Sequence, residues 1–133
     1  MAKRLAVINQ LRPKINSQGV VDLETMAGRM AKNTTYNLEE IYSILRLYVG
    51  EVNSALQAGE TVKIDRLVLI APNMKVGGSV NMSLRADRAT LAGLNNPQLW
   101  TASKLNNFAN LSKTSDELVA LWNAEHPDDP VED

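Results

Sequence analysis

Cysteine is missing from this 133-residue chain, which excludes a disulfide framework and any thiolate metal site and leaves hydrophobic burial to hold the fold. Long apolar runs are missing too. The longest stretches fall well short of the about 20 residues that cross a bilayer, and no basic, apolar, small-residue leader opens the chain. A soluble, cytoplasmic protein with no membrane partner is therefore expected. Histidine occurs once, at His126, beside the helix-stopping Pro127. With no cysteine and no carboxylate four residues away on a secure helix, a metal site is not expected. Residue order alone leaves a Ser-His-Asp arrangement open, but the Gly-x-Ser-x-Gly elbow that would support one is absent. Gly77-Gly78-Ser79 lacks the spacing and the following Lys-Ser/Thr of a phosphate loop. These gaps predict neither an enzyme, nor a cofactor, nor a small-molecule substrate.

Positive charge is missing from one end. All 14 Lys and Arg residues lie between Lys3 and Lys113, beside eight of the 15 acidic residues. The difference is +6 for residues 1–113 and −7 for residues 114–133, hidden in a net charge of −1. Such a split predicts a basic surface with an acidic terminal segment that either folds back on it or serves as a solubilising tail. The length suits a single core. The expected organisation is one domain over residues 1–113, with a basic N-terminal segment and a β arm, followed by an acidic helix and tail over residues 114–133.

Periodicity supplies the elements. Residues 1–18 set Lys3, Arg4, Arg12 and Lys14 around Leu5, Val7, Ile8, Leu11 and Ile15, and Pro13 opposes a continuous helix, so an extended arm or edge strand is expected. Asp22 can cap a short helix whose Leu23, Met26, Ala27, Met30 and Ala31 share one face. Asn37, with Glu40 three residues on, has the form of a capping pair. Beyond it Leu38, Ile41, Leu45, Tyr48, Val49, Val52, Ala55 and Leu56 step by threes and fours through a long second helix, and Gly59 stands where a left-handed residue would end it. From Thr61 the period becomes two (Val62, Ile64, Val68, Ile70), predicting a strand or a tight hairpin around Asp65-Arg66. Glycine, asparagine and proline punctuate residues 71–113, which suits long mobile hairpins better than a packed helix. Thr114 can cap a last helix that turns Leu118, Leu121 and Trp122 inward.

Two helices joined by a short turn, a glycine, a strand pair, an extended arm and a final helix make up the layout of the HU/IHF family of DNA-binding proteins. Leu23 to Ala31 resembles that family's first helix. Ala55-Leu56-Gln57-Ala58-Gly59-Glu60-Thr61-Val62-Lys63-Ile64 is similar to its helix-end, Gly-Glu, first-strand junction, and residues 20–75 carry most of the likeness. The whole chain also looks like a branch of HU-like proteins that end in an acidic Asp-Glu-Leu-Val-Ala-Leu-Trp-Asn type of segment, here Asp116 to Asn123. Two departures stand out: Asp65-Arg66-Leu67 replaces the family's Gly-aromatic-Gly turn, and the arm carries fewer basic residues.

The resemblance implies an α+β, HU/IHF-like fold in a homodimer that binds double-stranded DNA with little regard for sequence. Arm cations would neutralise phosphates while apolar wedges enter base steps. The cations available are Arg66, Lys75, Arg85, Arg88 and Lys104, unless they form only a solvated surface. Pro97, within Asn96-Pro97-Gln98, resembles the family's arm-tip proline. Met74, Met82 and Leu84 are wedges or, at alternating spacing, strand residues facing a core. Trp100 and Phe108 around Lys104 form either a base-stacking pair or simple packing. The alternative function is a scaffold or protein-interaction module that keeps the dimer, has little DNA affinity and engages a partner through Trp122 and the acidic segment.

Overall fold

The computed structural model describes residues 1–132; Asp133, the last residue of the acidic run, lies outside the described residues. Within them the chain is α+β. In chain order the elements are α1 (Arg4–Leu11), β1 (Lys14–Ile15), α2 (Leu23–Ala31), α3 (Leu38–Gln57), β2 (Val62–Ile64), β3 (Val68–Met74), β4 (Val80–Ala86), α4 (Arg88–Leu94), β5 (Leu105–Asn106) and α5 (Ser115–Glu125), with 3-10 turns at Pro97–Leu99 and Phe108–Asn110. They divide between two compact units. Val20–Asn96 form a central unit, and Met1–Gly19 join the chain from Pro97 onward in a terminal unit. Compaction therefore does not divide the chain at the expected 113/114 boundary.

In the central unit the helix pair begins at the expected caps. Asp22 accepts from the Thr25 N–H at 2.8 Å, a contact that also holds its carboxyl below the usual carboxylate range. Asn37 accepts from the Glu40 N–H at 2.9 Å, while its Nδ2 donates to Glu40 Oε1 at 2.8 Å, so the reciprocal contact runs between the two side chains. At the end of α3, the Glu60 N–H donates to Ala55 O and the Gly59 N–H to Leu56 O, each at 3.0 Å, with Gly59 at φ +82°. This Schellman arrangement satisfies carbonyls that the helix leaves unpaired.

Strands β2, β3 and β4 follow in one antiparallel sheet, in that order. The Ile64↔Val68 pair closes the turn Asp65-Arg66-Leu67, with the Leu67 N–H donating to Ile64 O at 3.0 Å and Arg66 at φ 63°. A side chain in that left-handed conformation costs about 1 kcal/mol, and the Thr90 hydroxyl on α4 secures the Arg66 carbonyl. The β3–β4 ladder runs from Val68↔Ala86 to Met74↔Val80 and turns through Lys75-Val76-Gly77-Gly78-Ser79. Gly77 and Gly78, at φ +96° and +91°, supply a backbone that residues with side chains rarely adopt.

The ends of this ladder reveal its parity. Lys75 N–H donates to Ser79 O at 2.8 Å, and Asp87 N–H to Leu67 O at 2.9 Å. Odd-numbered residues are thus the hydrogen-bonded pairs, and the N–H and C=O groups of even-numbered residues point away from the facing strand. Pro72 sits inside β3 at an even position, beyond Ile70 where pairing with β2 stops, so its missing N–H costs no ladder bond.

The expected long hairpins across residues 71–113 reach only Ala86. Asp87 then caps α4, accepting from the Ala89 N–H at 2.8 Å. At seven residues, and followed at once by Asn95-Asn96-Pro97, α4 is too short to show a helical period in the sequence.

In the terminal unit, of the extended arm or edge strand expected at residues 1–18, only the two-residue strand β1 forms; α1 replaces it over Arg4–Leu11 and stops ahead of Pro13. Tertiary partners explain the difference. Asn107 Nδ2 donates to Gln10 O at 2.8 Å and Arg12 O at 3.1 Å, and Asn110 Nδ2 donates to Leu11 O at 2.8 Å. These amides take up the helix's terminal carbonyls. Next, β1 pairs antiparallel with β5. Val7 is buried with Val119, Trp122 and Val131, and Ala2, Ile8 and Leu11 pack against them. Trp122 Nε1 donates to Asp129 O at 2.7 Å, and the His126 ring stacks on the indole at 3.7 Å. Arg4 pairs with Asp116, and the N-terminal amine lies 3.2 Å from Asp129. Through Val131 the acidic segment is a packed element, not a solvated tail.

Trp122→Ala should destabilise the terminal unit by about 3 to 5 kcal/mol, measured by urea unfolding, with α1 and α5 amides losing protection from hydrogen exchange. Trp122→Phe should recover most of that loss.

The Asp22 contribution should be complete above the ordinary carboxylate pKa of about 3.9 and vanish as pH falls through the lower folded value. Asp22→Asn, which caps without titrating, should flatten this part of the acid profile of α2 protection in hydrogen exchange.

Candidate nucleic-acid interface

Strand parity sorts the central sheet into two chemically different faces. One carries Val62, Ile64, Val68, Ile70, Pro72, Met74, Val80, Met82, Leu84 and Ala86, every one apolar. The other carries Lys63, Leu69, Ala71, Asn73, Lys75, Asn81, Ser83 and Arg85. No carboxylate occurs between Leu67 and Ala86, so the β3–β4 ribbon presents its cations without internal neutralisation.

At the ribbon's base, Lys63 and Arg85 flank Leu69 across three strands, separated by two strand spacings of about 5 Å each. With Asp87 and Arg88 they line a hollow of about 180 Å³. Lys63 Nζ stands 3.9 Å from Asp65 Oδ1, both well exposed, a pairing of little energetic weight. Asn73 and Asn81 face each other higher up, and Lys75 marks the start of the tip.

The expected site residues separate between the units. Arg66 occupies the left-handed turn position, Lys75 the tip, Arg85 the polar face and Arg88 the first turn of α4. Lys104 and Pro97 belong to the terminal unit instead. Pro97 opens a 3-10 turn, and Lys104 Nζ donates to Leu99 O at 2.8 Å. Pro97 is therefore not the ribbon tip, which is Lys75 to Ser79, and Val76 is the fully exposed apolar residue there. Sequence reading passed over both Lys63 and Val76. Continuing the alternation through the Asp65-Arg66-Leu67 turn would have placed Lys63 on the Arg85 face.

Met74, Met82 and Leu84 lie on the apolar face as alternation requires, yet are 71%, 55% and 67% exposed. A core residue would be covered, and these are not. Leu56 at the end of α3 joins Pro72, Met74 and Met82 around a cavity of about 620 Å³. Trp100 and Phe108 lie in the terminal unit, Phe108 in its 3-10 turn.

The units also redistribute charge. Residues 20–96 hold eight basic and eight acidic side chains, so the central unit is neutral. The basic excess expected of residues 1–113 comes from the terminal unit's cations, counted there apart from the acidic segment. Among the described residues no group of three or more His, Cys, Asp or Glu side chains could hold a metal ion. No helix among them is long and apolar enough to cross a membrane.

No protein-family model matches the chain, and no curated protein matches it significantly.

Proposed function

We propose that the central unit is an HU/IHF-like module that binds double-stranded DNA as a homodimer with little sequence preference, acting in the cytoplasm on the nucleoid. The observation that carries this reading is the polar face of the β3–β4 ribbon, which holds Arg85 at its base and Lys75 at its tip with no carboxylate between Leu67 and Ala86, and which Lys63 of β2 joins beside Leu69. The element order α2, α3, β2, β3, β4, α4 supports it, because the layout completes itself within residues 20–96.

Lys63, Lys75, Arg85 and Arg88 contact phosphates, so affinity falls with salt through counterion release. Asn73, Asn81 and Ser83 offer hydrogen-bond groups to minor-groove edges, where the code is degenerate and sequence counts for little. Val76 takes the wedge position first sought at Pro97.

Burial supports the homodimer. Among the described residues of the central unit only Ala27 and Ile41 are buried, whereas the terminal unit buries seven, Trp122 included. On α3, Ile44, Leu47 and Tyr48 are 60%, 71% and 47% exposed. A second copy covering this stripe removes apolar surface that one protomer leaves in water. The neutrality of the central unit favours the second reading, a protein-interaction module with the same dimer and little DNA affinity.

For a random-sequence duplex, the double variant Lys75→Glu/Arg85→Glu should weaken binding uniformly across sequences. It should also reduce the slope of log K against log salt by about 4 per dimer. Equal affinity and slope in the variant would remove the ribbon from the interface, and no binding by the folded parent at low salt would select the interaction module.

Leu47→Asp should abolish the α3 contact while leaving the chain folded, seen in sedimentation as a smaller assembly than the parent forms at the same concentration. A parent chain of monomer mass at every concentration defeats the dimer.

A further inference from the structure

We propose that β4 is a docking edge for β4 of a second copy, the two strands pairing antiparallel about a two-fold axis at Ser83. This contact is separate from the α3 stripe and does not require DNA to be the ligand.

Among the described residues no strand lies beside the outer edge of β4 in the sheet order β2-β3-β4. By the ladder's parity, its outward N–H and C=O groups belong to Val80, Met82, Leu84 and Ala86. The strand has no proline, and no charged side chain falls at an outward-bonding position. Proteins usually blunt exposed edges with such devices, because an open row of backbone groups templates another strand.

The edge is also self-complementary. Pairing about Ser83 sets Val80 against Ala86 and Met82 against Leu84 of the second copy, so all four outward-bonding residues meet outward-bonding partners. On the polar face Arg85 meets Asn81 and Ser83 meets itself, with no like charges opposed. Shifting the register by four puts Arg85 opposite Arg85, a repulsive arrangement. The apolar face becomes continuous across both sheets, and the polar face doubles its cations without acquiring a carboxylate. With the α3 contact, two unlike two-fold interfaces on each protomer link copies into an open chain, a route to contiguous coverage of a long ligand.

The chain has no native cysteine, so single cysteines can report the register. At the axis Ser83 is a non-hydrogen-bonded pair with a Cα separation of about 4.5 Å, within disulfide reach. Asn81, on the same face, would stand about 14 Å from its counterpart, beyond reach. Under mild oxidation Ser83→Cys should form disulfide-linked dimers at least about tenfold faster than Asn81→Cys. Adding Met82→Pro, which removes an outward N–H and leaves the β3 ladder whole, should lower the Ser83→Cys rate to the Asn81→Cys level. Crosslinking of Ser83→Cys should persist in a Leu47→Asp background, which separates this edge from the α3 dimer. Equal rates for the two cysteine variants, or loss of crosslinking with Leu47→Asp, would overturn the proposal.

Discussion

The alternation of hydrogen-bonded and non-bonded pairs along β3 and β4 governs most of what the central unit can do. Once Lys75 bonds Ser79 and Asp87 bonds Leu67, every side chain between them is assigned a face. All the apolar ones except Leu69 and Ala71 fall together. The same parity admits Pro72 to a central strand, gathers Lys63 and Arg85 beside Leu69, and directs the free backbone groups of β4 outward. Charge presentation, apolar exposure and edge chemistry thus share one geometric origin.

That geometry leaves an imbalance. A two-stranded ribbon cannot bury both faces by itself, and α3, with 20 residues, buries only Ile41 in one chain. Hydrophobic surface of this extent is more stable when another surface covers it, and the proposed homodimer rests on that imbalance. Methionine at positions 74 and 82 suits such a role, since its flexible side chain fills irregular contacts.

The terminal unit follows a different logic. It joins distant parts of the chain through a small apolar core, the Asn107 and Asn110 clamp on α1, and contacts between an N-terminal segment rich in cations and an acidic helix. Exposed ion pairs of this kind contribute little individually, so Val7, Val119, Trp122 and Val131 supply the greater share of its cohesion. By engaging the acidic segment here, the fold also changes the meaning of the charge split. The strong opposition seen along the sequence becomes a feature of one unit, and the ribbon's cations act in a neutral surrounding.

Local signals determined α2, α3, the β2–β3 turn and α5, because caps at Asp22, Asn37 and Thr114, helical spacing and the strand period of two are decided by residues close in sequence. Those signals failed at α1, whose apolar pattern is weak and whose carbonyls are satisfied from nearly a hundred residues away, and at α4, whose seven residues are too few to show a helical period. Arg66, Lys75, Arg85 and Arg88 could be picked out as exposed cations from composition alone. Sequence by itself determined the elements and the stock of charges. Only the tertiary structure decided that Lys63 joins Arg85, that Pro97 and Lys104 belong elsewhere and that Val76 marks the tip, because strand register and long-range packing depend on residues that no local window contains.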